Sequence, residues 1–306
     1  MHSRMSPISS TYKYKDVEET LDIYFYRPLG YGVAQVASFF KMTPNAVTFM
    51  SLLTGIASGI FFYFPVLKLT VIGIILFVLS DVFDSADGQL ARLSGVKTEL
   101  GRFFDGISGT IIFIIIHLSI CFRIIAGGGS AWIFLLALAA GVSGSIQCAL
   151  ADYYRNAFIF FARGPQFAEL GDSRLMRANY ERLSWSRNFG KKLALRIYLT
   201  YTREQEFMSA NFARLKGKIF NSSQNEITQD IRSQYLAKSR PQVKHCNILT
   251  TNTRAIALFI FLLLKIPQMF FLFEISILNL VLIYVLITQN KISADLLGQL
   301  EKSAGN

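Results

Sequence analysis

A chain of 306 residues in which 52% are hydrophobic and only 17% charged departs from a soluble domain, where roughly a quarter of residues carry charge. The composition points to the lipid bilayer and away from a water-soluble globular enzyme. A net charge of +11 fits the Lys and Arg excess of cytoplasmic loops facing anionic lipid, so no nucleic-acid partner is expected.

The opening residues, Met1 to Lys15, are polar and lack the apolar core and small-residue cleavage site of a secretory signal. Between Asp16 and Phe40, apolar Val17, Leu21, Tyr24 and Phe25 mix with charge and Arg27-Pro28-Leu29-Gly30 interrupts them, which predicts an amphipathic helix lying at the membrane interface. Thr43 followed by Pro44 reads as a cap with a first-turn proline, so the first span should begin there. Apolar stretches near the length that a bilayer demands, about 20 residues, fall at roughly 46–64, 68–90, 103–123, 131–152, 255–273 and 275–289. They predict an all-α polytopic membrane protein of six transmembrane helices. The organisation expected is a cytoplasmic N-terminal segment (1–42), four spans (43–162), a basic helical insertion in the cytoplasm (163–252), and two further spans with the C-terminal tail (253–306).

Basic residues set the orientation. They crowd the N-terminal segment (Lys13, Lys15, Arg27, Lys41), the turn after the second span (Arg92, Lys97, Arg102) and the stretch from Arg155 to Arg254, while the other connections are nearly bare. This places both termini and the insertion in the cytoplasm. Within the insertion, 173–208 reads as one or two amphipathic helices and 221–241 as looser, together forming a cover whose basic face touches lipid head groups. Cys121, Cys148 and Cys246 lie far apart without metal-ligand spacing and are read as packing residues.

The chemistry sits in the second and third spans. Asp81, Asp84, Asp87 and Asp105 all fall in apolar surroundings, where an ionised Asp costs about 2.5 to 3.5 kcal/mol on insertion scales. Clustered carboxylates are what hard divalent cations require. Asp84 and Asp87 are three apart, Gly88 and Ala91 clear the same region, and Arg92 follows at the helix end. A pyrophosphate held by metals and an arginine fits this arrangement.

Asp84, Asp87, Gly88, Ala91 and Arg92, followed by Gly101 and Asp105, resemble the signature D-x2-D-G-x2-A-R-x8-G-x3-D-x3-D of the CDP-alcohol phosphotransferase (phosphatidyltransferase) family. The Thr43-Pro44-Asn45 start with Thr48 is similar to that family's first span. The resemblance implies a six-helix membrane fold, two divalent cations (Mg²⁺ or Mn²⁺), and phospholipid synthesis by transfer of a phosphatidyl-type group from a CDP-linked lipid, CDP-diacylglycerol, to a small alcohol with release of CMP. It implies Asp84, Asp87 and Asp105 as metal ligands, and Asp84, Gly88, Ala91 and Arg92 around the nucleotide, with Thr43, Asn45 and Thr48 near the donor. It further implies a homodimer; the site is expected to face the cytoplasm, in the inner (plasma) membrane if the cell is bacterial.

One position departs from the pattern. The family's last aspartate, the base that takes the acceptor's proton, falls at Gly109. Asp81 lies about 4.5 Å deeper than Asp84 and position 109 about 6 Å deeper than Asp105, so Asp81 is a candidate catalytic carboxylate beside Asp105, set against a purely local role. His117, in a long apolar run, reads as a satisfied core histidine; Asp152 with Arg155 reads as an interfacial cluster or an anion site. Arg102, Arg155 and Arg254 favour a phosphorylated acceptor. Two readings compete with the transferase: a non-catalytic relative that binds metal and CDP-lipid, supported by Gly109, and a transporter with an intramembrane ion site, which leaves the Gly, Ala and Arg spacing unexplained.

Overall fold

Thr43 does cap the first span: its hydroxyl accepts from the Ala46 amide at 3.2 Å, and Pro44 occupies the first helical position. The computed structural model describes residue 14 and residues 16–94, 99–221 and 229–304; for 99–106, 220–221 and 303–304 it describes the backbone alone. Every regular element among the described residues is helical. A π-helical turn, Asp22–Tyr26, runs into α1 (Arg27–Phe39); then come α2 (Pro44–Tyr63), α3 (Leu67–Ser94), α4 (Glu99–Ala126) and α5 (Ile133–Arg163). They are followed by α6 (Ser173–Arg182), α7 (Phe189–Met208), α8 (Ala210–Asn221), α9 (Gln229–Ile248), α10 (Thr251–Leu263), α11 (Gln268–Ile275) and α12 (Ile277–Ala304).

Among the described residues six helices are long and apolar enough to cross a membrane: Pro44–Tyr63, Leu67–Ser94, Ile107–Ala126, Ile133–Arg163, Gln229–Leu263 and Gln268–Lys302. The chain is an all-α polytopic membrane protein. The last two spans differ from the hydropathy reading, which divides them at Glu274. The chain turns instead at residues 264–267, where Lys265 takes a positive φ of 61°, and Glu274 remains inside a helix. Its carboxylate is 1% exposed and is met by Arg254 Nε at 3.3 Å and His117 Nε2 at 3.1 Å. Ion pairing of this kind is what allows a carboxylate to stay at membrane depth. The stretch expected to be looser also differs, since α9 is regular and contains Pro241, while residues 222–228 lie outside the described residues.

The chain forms two compact units. One comprises the residues up to Gly144 with Asn252–Ile277. Its core gathers Phe62, Phe77, Ile112, Ile116, Leu258, Phe270 and Phe271. Helices α2 and α4 approach closely because Gly55 has no side chain; a Cβ there would lie 2.4 Å from Ile112 Cδ1. Helix α1, too short to span, lays Ala34 and Ala37 against Val47, Ala86 and Leu90. A Cβ at Gly30 would fall 2.7 Å from Ser85 Oγ, so this glycine fixes how near α1 lies to α3. The opposite side of α1 exposes Leu29, Val36 and Phe39, as an interfacial helix does.

The second unit comprises Ser145–Thr251 and the chain from Leu278 onward. Tyr153, Tyr154, Phe158, Phe161, Phe212 and Tyr235 are fully buried in it, and the Phe161 and Tyr235 rings stack with centroids 4.0 Å apart. The expected amphipathic helices of 173–208 are α6 and α7.

Candidate active site

Helix α3 carries the constellation, and three separate contacts fix its C-terminal half. On one side α2 presents Thr48, whose Oγ1 lies 2.5 Å from Asp87 Oδ2 and 3.1 Å from the Pro44 carbonyl. Both Thr48 and Asp87 are buried, and a hydroxyl has one proton to give. The carboxylate is the stronger acceptor, which makes Thr48 a fixed donor to Asp87. Asp84, one turn earlier, is exposed. The two carboxylates thus differ in exposure: Asp87 is buried and bonded to Thr48, whereas Asp84 is exposed.

Arg92 folds back along the same helix. Its Nη1 would stand 3.6 Å from a Cβ built at Gly88, so the bare glycine is what the guanidinium lies over. The charged groups around it are Arg27, Glu18 and Asp87, and its Nε is buried with no hydrogen-bond partner among the described residues. A buried, unpartnered guanidinium N–H is unfavourable in a resting protein and is a natural donor to a phosphate oxygen. Ala91 is half-buried beside it.

The N-terminal segment covers the other side of α3, a feature that no local sequence signal announces. The Gln89 amide donates to the Arg27 carbonyl at 3.0 Å and to Ser85 Oγ at 3.2 Å. Arg27 Nη2 donates to Glu18 Oε1 at 2.6 Å. The Tyr26 hydroxyl sits beside the Asp81 carboxyl, near Asp22 and Glu19. Burial, then the charge of Asp81, hold the Tyr26 phenol above its ordinary range. Asp81 Oδ2 is itself buried and has no hydrogen-bond partner among the described residues. Asp22 in turn accepts from the Asn252 amide at 2.8 Å.

Helix α4 supplies the remaining expected residues. Gly101 and Asp105 lie in its first turns, where the backbone alone is described. Gly109 is exposed, and a Cβ built on it meets no atom within 4 Å. Among the described residues nothing fills the position where the missing carboxylate would stand. Thr43 and Asn45 are exposed at the start of α2, a turn before Thr48. Among the described residues no three His, Cys, Asp or Glu side chains gather as a metal group; the third expected ligand, Asp105, lies outside the described side chains. Asp84 and Asp87, oxygen donors one turn apart with Arg92 beside them, fit a hard divalent cation bound with a phosphate.

His117 matches its reading as a satisfied core residue, with Nδ1 2.8 Å from the Phe113 carbonyl and Nε2 on Glu274. Since a carbonyl only accepts, Nδ1 carries a proton, and the Nε2–carboxylate contact requires a second one between them. Arg254 does not line a solvent-facing mouth: it is 3% exposed and tied to Glu274. Its contribution to holding an anionic acceptor falls away.

The fold and site together define a polytopic helical membrane protein with a carboxylate and arginine site on its second span. Residues 41–157, from just after α1 through most of α5, match the family model for CDP-alcohol phosphatidyltransferase. A comparison of the chain with curated proteins returns no match.

Proposed function

We propose that this protein transfers a phosphatidyl-type group from a CDP-linked lipid, CDP-diacylglycerol, to a small alcohol, releasing CMP, with its site open to the cytoplasm. The observation that carries this reading is the arrangement on α3: Asp87 bonded to Thr48, Asp84 exposed, and Arg92 lying over Gly88 with a buried Nε that meets no acceptor among the described residues, all within the matched stretch.

In the reaction the acceptor oxygen forms a bond to the phosphorus that bears the lipid. The bond from that phosphorus to the bridging oxygen breaks, and CMP leaves with the electron pair. Arg92 binds the pyrophosphate, Gly88 and Ala91 leave room for it, and Thr43, Asn45 and Thr48 border the donor. Asp84, Asp87 and Asp105 would hold two divalent cations, which supply charge neutralisation for the pyrophosphate when bound. Asp81 takes the acceptor's proton in place of the absent residue at 109, with Tyr26 as its neighbour. The insertion, 163–252, is a cytoplasmic cover.

A second reading rests on Gly109. Its open surroundings suit a relative that binds metal and CDP-lipid without turnover. The test is CMP release by purified protein with CDP-diacylglycerol, Mg²⁺ or Mn²⁺ and a panel of alcohols, phosphorylated ones included. Release that is lost in Asp84→Asn and in Asp81→Asn supports the transferase and its base. Full activity in Asp81→Asn rules out that base; binding without release supports the second reading.

A further inference from the structure

Helix α7 carries two faces that its environment explains unequally. One face is packed: Lys192, Leu199, Thr202 and Gln205 are buried. The Gln205 amide donates to the Ala149 carbonyl of α5 at 2.7 Å, and Tyr201 lies beside Asp152. At its C-terminus the Met208 carbonyl accepts from Asn290 of α12 at 3.3 Å.

These contacts fix the C-terminal half of α7 within its unit. On α5 the sequence is free of charge from Ile133 to Ala151, and Asp152 is the first charged residue. On α12 the apolar run from Ile277 to Ile287 ends in Thr288, Gln289, Asn290 and Lys291. Asp152 and Lys291 are the first charges met along these two stretches, and α7 is joined to both spans within a turn of them.

The other face of α7 points away from this packing. Phe189, Arg196, Thr200, Arg203 and Phe207 are exposed and Leu193 half-exposed, and their spacing of four, three, four, three and four places them on one stripe. Phe207 is 86% exposed and Phe189 63%. A bare aromatic at that exposure is out of place in water but suits the head-group boundary, where an interfacial helix buries aromatics and sets arginines among the phosphates. From 173 to 208 the chain carries eight Lys and Arg against three Glu, which complements an anionic surface.

We infer that the outer stripe of α7 is a lipid-binding face: Phe189, Leu193 and Phe207 enter the acyl boundary of the bilayer while Arg196 and Arg203 bind anionic head groups. This surface is separate from the transferase reading and does not depend on it.

The test uses the full chain in vesicles, with Phe207→Trp in a Trp132→Phe/Trp185→Phe background. At 86% exposure, residue 207 loses no packing on substitution. Brominated phosphatidylglycerol is expected to quench Trp fluorescence at this position at least twofold more than the same fraction of brominated phosphatidylcholine, with iodide from the aqueous side nearly without effect. Arg196→Gln/Arg203→Gln should erase the preference between the two lipids yet leave the quenching. Ready quenching by iodide with none by either brominated lipid would overturn the inference and leave the stripe to a soluble partner. Equal quenching by both lipids in the parent would overturn its anionic part.

Discussion

Replacing Glu274 by Leu should destabilise the protein more than most single substitutions, and a second change should undo most of the loss. Glu274 is 1% exposed and Arg254 3% exposed, with Nε and Oε1 3.3 Å apart. Removing the carboxylate leaves a guanidinium uncompensated in an apolar core formed in part by Leu258, Phe270 and Phe271. Breaking a buried pair from one side costs about 3 to 5 kcal/mol, a large part of the roughly 5 to 15 kcal/mol by which proteins are stable. In a chain of this size that lowers the midpoint of thermal unfolding by the order of 10 °C. Adding Arg254→Met removes the uncompensated guanidinium and sets an apolar pair of similar volume; the double variant should recover most of the loss and fall short of the parent by about 1 to 3 kcal/mol, the cost of leaving His117 Nε2 without its carboxylate. His117 keeps its bond to the Phe113 carbonyl in both variants. Thermal unfolding in detergent, followed by the reactivity of buried Cys121, measures all four members of the cycle. If Glu274→Leu is as stable as the parent, or the double variant as unstable as the single, the buried-charge reasoning is wrong.

Three further outcomes are expected. Thr48→Val keeps the shape but removes the donor to buried Asp87, and a hydrogen bond to a charged group is worth about 1.5 to 3 kcal/mol; denaturation without divalent cation should show that loss, and a smaller one would mean that Asp87 has another strong donor. Gly109→Ala meets no atom within 4 Å and replaces a helix-interior glycine, so stability should rise by about 0.5 to 1 kcal/mol; a fall would show the space to be filled. The Tyr26 and Tyr201 phenols are raised above their ordinary range, by burial first and then by Asp81 and Asp152 respectively. An unfolded tyrosine ionises near pH ~10, so their contribution is complete below that pH and declines as the pH rises past it. Tyr26→Phe should blunt the alkaline loss of stability in a pH series of unfolding midpoints.

Much of this molecule can be read from its sequence, and the exceptions share a cause. Four spans follow from apolar runs of bilayer length, and the α3 motif follows from spacing along one helix. What hydropathy misplaces is the final turn, because Glu274 reads as a boundary when seen without Arg254 and His117, residues 20 and 157 positions away in the chain. Arg254 is misjudged for the same reason, as an exposed cation rather than a paired one. The cover of Asp81 by Tyr26, and of Gln89 by Arg27, has no local signature: each joins the N-terminal segment to a span more than 50 residues later.

The seating of α1 also bears on how such domains can be recombined. Ser85 and Gln89 occupy positions that the family signature leaves unspecified, yet here one abuts Gly30 and the other bonds the Arg27 backbone. Helix α1 and these two sites therefore pack as one unit. A chimera that exchanges the leading helix with that of a relative should carry residues 85 and 89 with it; one cut at Thr43 alone places a new helix on a surface shaped for the old.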